Sequence, residues 1–111
     1  LVFTILPDLA AAQTMARLLV GQRLAACVSV LPAAQSCYRW QGQVEEATEI
    51  PLLIKTTTAR YAALEAAIRA QHPYELPEIV AVPVVAGLPD YLSWVAAETT
   101  FTPSTPDISS C

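Results

Sequence analysis

Apolar positions recur along this chain with two periods, and each switch of period marks an element. Residues 1–6 form a short apolar, β-branched and aromatic run that Pro7 ends, which predicts a buried strand. Asp8 then offers a helix cap. From Leu9 to Leu24 the chain is rich in Ala, Leu, Met, Gln and Arg, and Met15, Leu18, Leu19 and Gln22 share one side of a predicted helix. Ala11 and Ala12 extend that side with small groups that allow close approach to a sheet. A strand pattern returns over 26–31, before the break at Pro32-Ala33-Ala34. Residues 35–41 and 43–58 alternate as two arms of a hairpin around Gly42, with Tyr38 and Trp40 on one face of the first arm and Cys37, Arg39 and Gln41 on the other. Pro51 lacks an amide hydrogen, so a bulge or an unpaired amide position is expected there.

Thr58 is the expected cap of a helix over 59–71, where Tyr61, Leu64 and Ile68 recur at helical spacing. Residues 79–85 read as a strand. Gly87 allows a turn, and Pro89 opens a last helix with Leu92 and Val95 on its buried side and Tyr91 and Trp94 flanking them. The tail over 101–111 reads as a loop that a neighbouring chain could hold in place. The order is β-α-β-β-α-β followed by a helix, within a single domain over 1–111. This is the split βαβ arrangement, an α+β fold with two helices on one side of a four-stranded antiparallel sheet. Its other face is left bare. An arm of about 15 residues also spans roughly 50 Å at strand rise, more than a small sheet needs. Both features predict self-association, with the hairpin bending or pairing with another subunit.

Composition sharpens this expectation. In 111 residues, 54% are hydrophobic, a high share for a body that can bury only a modest part of its surface. Ten acidic and six basic side chains give a net charge of −4 with no basic cluster, which argues against nucleic acid or an anionic membrane as partner. No uninterrupted apolar run approaches a membrane span. The chain begins at Leu1 rather than Met, which leaves a removed leader open. Three cysteines without Cys-x-x-Cys spacing predict neither a disulfide framework nor a zinc ribbon, and a reducing cytoplasm is the expected compartment.

The densest chemistry lies in His72-Pro73-Tyr74-Glu75-Leu76-Pro77-Glu78, an imidazole, a phenol and two carboxylates in a stiff elbow between helix and strand. Pro73 should stop the helix near Gln71, and Pro77 restricts Leu76 in the same way. For a metal, the chain offers Cys27, Cys37, His72, Glu75 and Glu78, together with Glu45 and Glu49. Thiolate and imidazole suit copper or zinc, and carboxylates suit harder ions. Each has a plainer reading: Cys27 and Cys37 as ordinary buried thiols, His72 as a cap on helix carbonyls. Neither a Ser-His-acid order, a Gly-rich phosphate loop nor His-Glu-x-x-His is present, so no enzyme activity is expected. Lys55 is expected to pair with a carboxylate across an interface, and Lys55 or Arg39 is the expected partner of an acid near the elbow.

Leu24-Ala25-Ala26-Cys27-Val28, Tyr38-x-Trp40-x-Gly42-x-x-Glu45, Glu49 followed by Leu53-Ile54-Lys55-Thr56, the elbow, and Tyr91-Leu92-x-Trp94 resemble the CutA divalent-cation-tolerance family over almost the whole chain. The resemblance implies a ferredoxin-like fold with an extended hairpin and a C-terminal helix, a homotrimer related in architecture to PII signalling proteins, and an association with copper. Pro32-Ala33-Ala34 departs from the family's common Pro-Gly, and Pro51 stands where the family usually has an amide donor. Residues and resemblance together imply a copper-type divalent-metal-binding protein with no obligatory cofactor, Cu(II) or Zn(II) being the candidate ions. Pocket or interface positions are Tyr38, Trp40, Glu45, Glu49, Lys55, Tyr74 and Trp94. The alternative is a PII-like protein that binds a small molecule without catalysis.

Overall fold

The computed structural model describes residues 1–100, so the tail expected as a loop over 101–111, with Cys111, lies outside the described residues. The elements are β1 (Val2–Leu6), α1 (Leu9–Gly21), β2 (Cys27–Val30), β3 (Ala34–Trp40), β4 (Gln43–Lys55), α2 (Tyr61–Gln71), β5 (Ile79–Ala81) and α3 (Pro89–Glu98). The break at Pro32 separates β2 from β3, as the strands expected over 26–31 and 35–41 imply, and both pair with the same side of β4. The sheet therefore has five strands where four were expected, and its order is β2-β4-β1-β5, with β3 beside the outer half of β4. All pairings are antiparallel, which makes this a ferredoxin-like α+β fold.

One face of the sheet is covered by helices. Val2 and Leu6 of β1 and Leu52 and Ile54 of β4 pack there with Ala12, Met15 and Leu19 of α1 and Leu64 and Ile68 of α2. Fully burying each larger side chain contributes about 1.5–3 kcal/mol. The Asp8 carboxylate accepts the Ala11 N–H at 2.8 Å and caps α1, as the sequence predicts. Gln22 lies on the predicted side of α1 but beyond its end and exposed. Thr58 does not cap α2: it opens a 3-10 turn over Thr58–Arg60, and α2 follows from Tyr61 without a side-chain cap.

Pro51 causes no bulge against β1, but on the opposite edge of β4 the register slips by one residue, from Val30↔Leu52 to Ala34↔Glu49, which is the bulge the sequence predicts. Pairing of β1 with β4 runs unbroken from Val2↔Ile54 to Leu6↔Ile50, and the Pro51 carbonyl accepts the Leu31 N–H at 2.9 Å. In an antiparallel strand, N–H and C=O of one residue point the same way. The missing donor of Pro51 thus faces the break between β2 and β3, where continuous pairing has already lapsed. At the hairpin tip Gln41 (φ 51°) and Gly42 (φ 80°) form a two-residue turn, whose left-handed conformations match the twist of the flanking strands.

The strand expected over 79–85 spans only Ile79–Ala81, followed by mutual backbone hydrogen bonds between Val82 and Leu1. Val84 and Val85 find no neighbouring strand and are exposed. Of the two residues expected on the buried side of α3, Val95 is buried but Leu92 is 41% exposed. No helix among the described residues is long and apolar enough to cross a membrane.

Candidate functional site

Strand alternation sorts most of the candidate residues onto one surface. Leu52 and Ile54 point under the helices, so Glu45, Glu49, Pro51, Leu53 and Lys55 point to the opposite face of β4. The register adds Tyr38 opposite Glu45, Trp40 opposite Gln43 and Cys27 opposite Lys55. Phe3, flanked by Leu53 on β4 and Val80 on β5, supplies an apolar centre to this helix-free face. Cys37, Arg39 and Glu46 lie on the other side of the hairpin.

The elbow closes one end. Pro73 drives His72 out of helical geometry (φ −78°, ψ 133°), so α2 stops at Gln71 as expected. His72 caps α2 through its backbone and not through its ring. Its backbone N–H donates to Ile68, and its ring folds inward, 8% exposed, with Nε2 2.6 Å from the Ile5 carbonyl. Nδ1 accepts the Tyr74 N–H at 3.1 Å, so the proton resides on Nε2 and both ring nitrogens are occupied. The ring thereby ties the elbow to β1 and presents Tyr74, whose ring lies 4.8 Å from that of His72.

The Tyr74 hydroxyl donates to Glu49 Oε2 at 2.6 Å. Glu49 is only 6% exposed. Burial, this hydrogen bond and the Glu49 charge together push the Tyr74 hydroxyl well above the usual phenol range, with smaller contributions from Tyr38 and Asp8. Tyr74 therefore remains a donor at neutral pH. This bond joins two residues that the sequence named but did not pair, because 25 positions separate them and only the approach of the elbow to β4 brings them together.

The remaining candidates do not converge on the elbow. Glu75 and Glu78 are exposed. Cys27 is half-buried and Cys37 exposed, both as free thiols, and Cys27 belongs to the far end of β4 with Lys55. Lys55 Nζ lies 5.8 Å above the Tyr91 ring rather than beside a carboxylate near the elbow. Arg39 likewise is on the face away from Glu49. Trp94 is 43% exposed on α3, 5.6 Å from the Tyr91 ring. Among the described residues, no group of three His, Cys, Asp or Glu side chains is placed to hold a metal ion. A groove of about 960 Å³ opens between the Lys55 end of the sheet and α3, lined among others by Leu1, Lys55, Thr57, Tyr61 and Tyr91. The part played there by Tyr91 went unread in the sequence, where it looked like a flank of the last helix.

Residues 1–98 match the CutA1 divalent ion tolerance protein family. The chain belongs to this family. The Divalent-cation tolerance protein CutA of Thermus thermophilus is 47% identical over 93 residues, 84% of this chain and 90% of that protein. The crystal structure of CutA from Xylella fastidiosa superposes with a TM-score of 0.87 at 49% identity, covering 89% of this chain and 95% of that one. The PII-like protein CutA from Nostoc sp. PCC 7120, in apo form, superposes with a TM-score of 0.84 at 37% identity, covering 89% and 95% respectively. CutA family membership and the helix-free face thus rest on independent observations, the first on sequence and backbone, the second on register and burial.

Proposed function

We propose that this chain serves divalent-cation tolerance as a cytoplasmic homotrimer, binding a copper-type ion at sites that subunits share. The observation that carries this reading is the helix-free face, where Phe3, Leu53 and Val80 are left incompletely covered beside the polar candidates. The name of the Thermus relative supports the tolerance role. Because one chain brings no three ligating groups together among the described residues, a site needs groups from more than one copy. Cys27 and Glu45 are available on that face, and Cys37, Glu75 and Glu78 lie elsewhere at the surface. His72 would have to release Ile5 or Tyr74 before ligating. Such a site binds Cu(II) or Zn(II) more weakly than a structural zinc site, with its four dedicated ligands.

Light scattering on reduced, tag-free protein, followed by calorimetric titration with Cu(II) and Zn(II), tests this reading. The titration uses Cys111→Ser protein so that a thiol in the tail does not capture copper. A mass of three chains and saturable binding that His72→Ala or Cys27→Ala weakens are expected. A monomer, or no binding of either ion, overturns the corresponding half.

A PII-like role in binding a small molecule is favoured by the groove between Lys55 and α3 and by the name of the Nostoc relative. Binding of a metabolite by protein that takes up neither metal would establish it in place of the metal reading.

A further inference from the structure

Two charges on the helix-free face have no counter-ion in their own chain among the described residues. Glu49 is buried, and the neutral Tyr74 hydroxyl is its carboxylate's one partner among those residues. A carboxylate taken out of water is costly unless a cation compensates it. Glu45 shares the face but is exposed, so water serves it. At the other end of β4, Lys55 faces an aromatic ring and has no carboxylate at ion-pair distance among the described residues. The strands carry only two bases, Arg39 and Lys55, and alternation sends Arg39 to the other face. Lys55 is therefore the one strand base on the surface that buries Glu49.

The two cannot meet within a chain. Six residues of strand separate them by roughly 20 Å. In a ring of three copies, however, each contact is heterologous and joins different parts of the same surface on successive copies. We propose that Lys55 of one copy pairs with Glu49 of the next, so that each copy gives its lysine to one neighbour and receives one from the other. The pairing rests on the homo-oligomer reading above and specifies its register. Tyr74 then holds one carboxylate oxygen and orients the other toward the incoming ammonium. The arrangement makes burial of Glu49 favourable only in the assembly, and it sets the direction in which the copies follow one another.

The test is disulfide trapping in protein whose three native cysteines are replaced by serine. A Glu49→Cys/Lys55→Cys chain cannot close a bond on itself, because a disulfide needs Cα atoms within about 7 Å. Mild oxidation should yield a ladder of covalent dimer and trimer on a denaturing gel, and neither single variant should form the trimer band. Light scattering of the wild type separates the two ideas. A monomeric wild type overturns both the assembly and the pairing, whereas an intact oligomer in which Glu49→Gln and Lys55→Gln act independently overturns the pairing alone. Should the double-cysteine form not assemble, or assemble without a ladder because two cysteines reach less far than a lysine and a glutamate, Glu49→Gln, Lys55→Gln and their combination decide the matter. Pairing predicts that each single variant weakens association about tenfold or more and that the combination is no worse than the weaker single. Independent, additive losses overturn it.

Discussion

The two faces of one sheet are made from the same strands, yet they reach different ends. On the helix-covered face Val2, Leu52 and Ile54 are at most 1% exposed, whereas on the other, Phe3 and Leu53 are half-buried and Val80 is 50% exposed. Alternation alone cannot distinguish them, since both rows are apolar. The difference is that α1 and α2 return to one face, whereas the other meets a helix only at its Lys55 end, beside Tyr91 of α3. An apolar row is finished by what is laid on it, and the uncovered row is the part of the core that a second copy completes in the proposed assembly.

The largest effects test this contrast. Ile54→Ala should cost about 2–5 kcal/mol, and the loss should not depend on protein concentration. Leu53→Ala should cost less in dilute protein, with a midpoint that shifts as concentration rises, because its loss appears as weaker association. Denaturant unfolding at two concentrations reads both, and identical concentration dependence for the two variants would erase the distinction between the faces.

A polar group distinguishes the faces as well. Tyr74→Phe removes the donor that the buried Glu49 carboxylate has within its own chain and should lower stability by about 1–3 kcal/mol. A loss much below this, measured by urea unfolding, would mean that water replaces the hydroxyl. On the covered face the sign reverses. Thr4, 1% exposed, carries a hydroxyl with no hydrogen-bond partner among the described residues. Thr4→Val should raise stability by about 1 kcal/mol, seen as a higher unfolding midpoint with an unchanged slope.

The smallest effect is in pH. Burial, then the bond to Glu49, raises the Tyr74 hydroxyl above its unfolded value of 10.0. A raised acid favours its neutral form in the folded protein, so this contribution is complete below pH 10.0 and lost as pH rises above it. Thermal melts between neutral pH and the alkaline range should therefore fall more steeply for the wild type than for Tyr74→Phe.

Local signals were legible at most positions where a residue constrains its own backbone, Thr58 being the exception. Asp8 caps α1, Pro73 ends α2, Pro89 begins α3, and Gln41-Gly42 closes the hairpin. Each works through a dihedral preference or a hydrogen bond only a few residues away. Val84 and Val85 have strand propensity equal to that of Val80, but no strand lies beside them to pair with. Leu92 has the right helical spacing for burial and remains exposed because α3 turns Val95 inward.

By itself, the sequence determined the order of elements, the apolar rows of the strands and the rigid elbow, since these follow from periodicity and from prolines acting on neighbouring dihedrals. Only the tertiary structure decided that the His72 ring holds the Ile5 carbonyl, that Tyr74 reaches Glu49 midway along β4, and that Lys55 and Cys27 lie together at one end of β4, away from that contact. The physical reason is separation along the chain. A hydrogen bond across 67 residues, as between His72 and Ile5, leaves no local pattern and exists only once packing has set the distance.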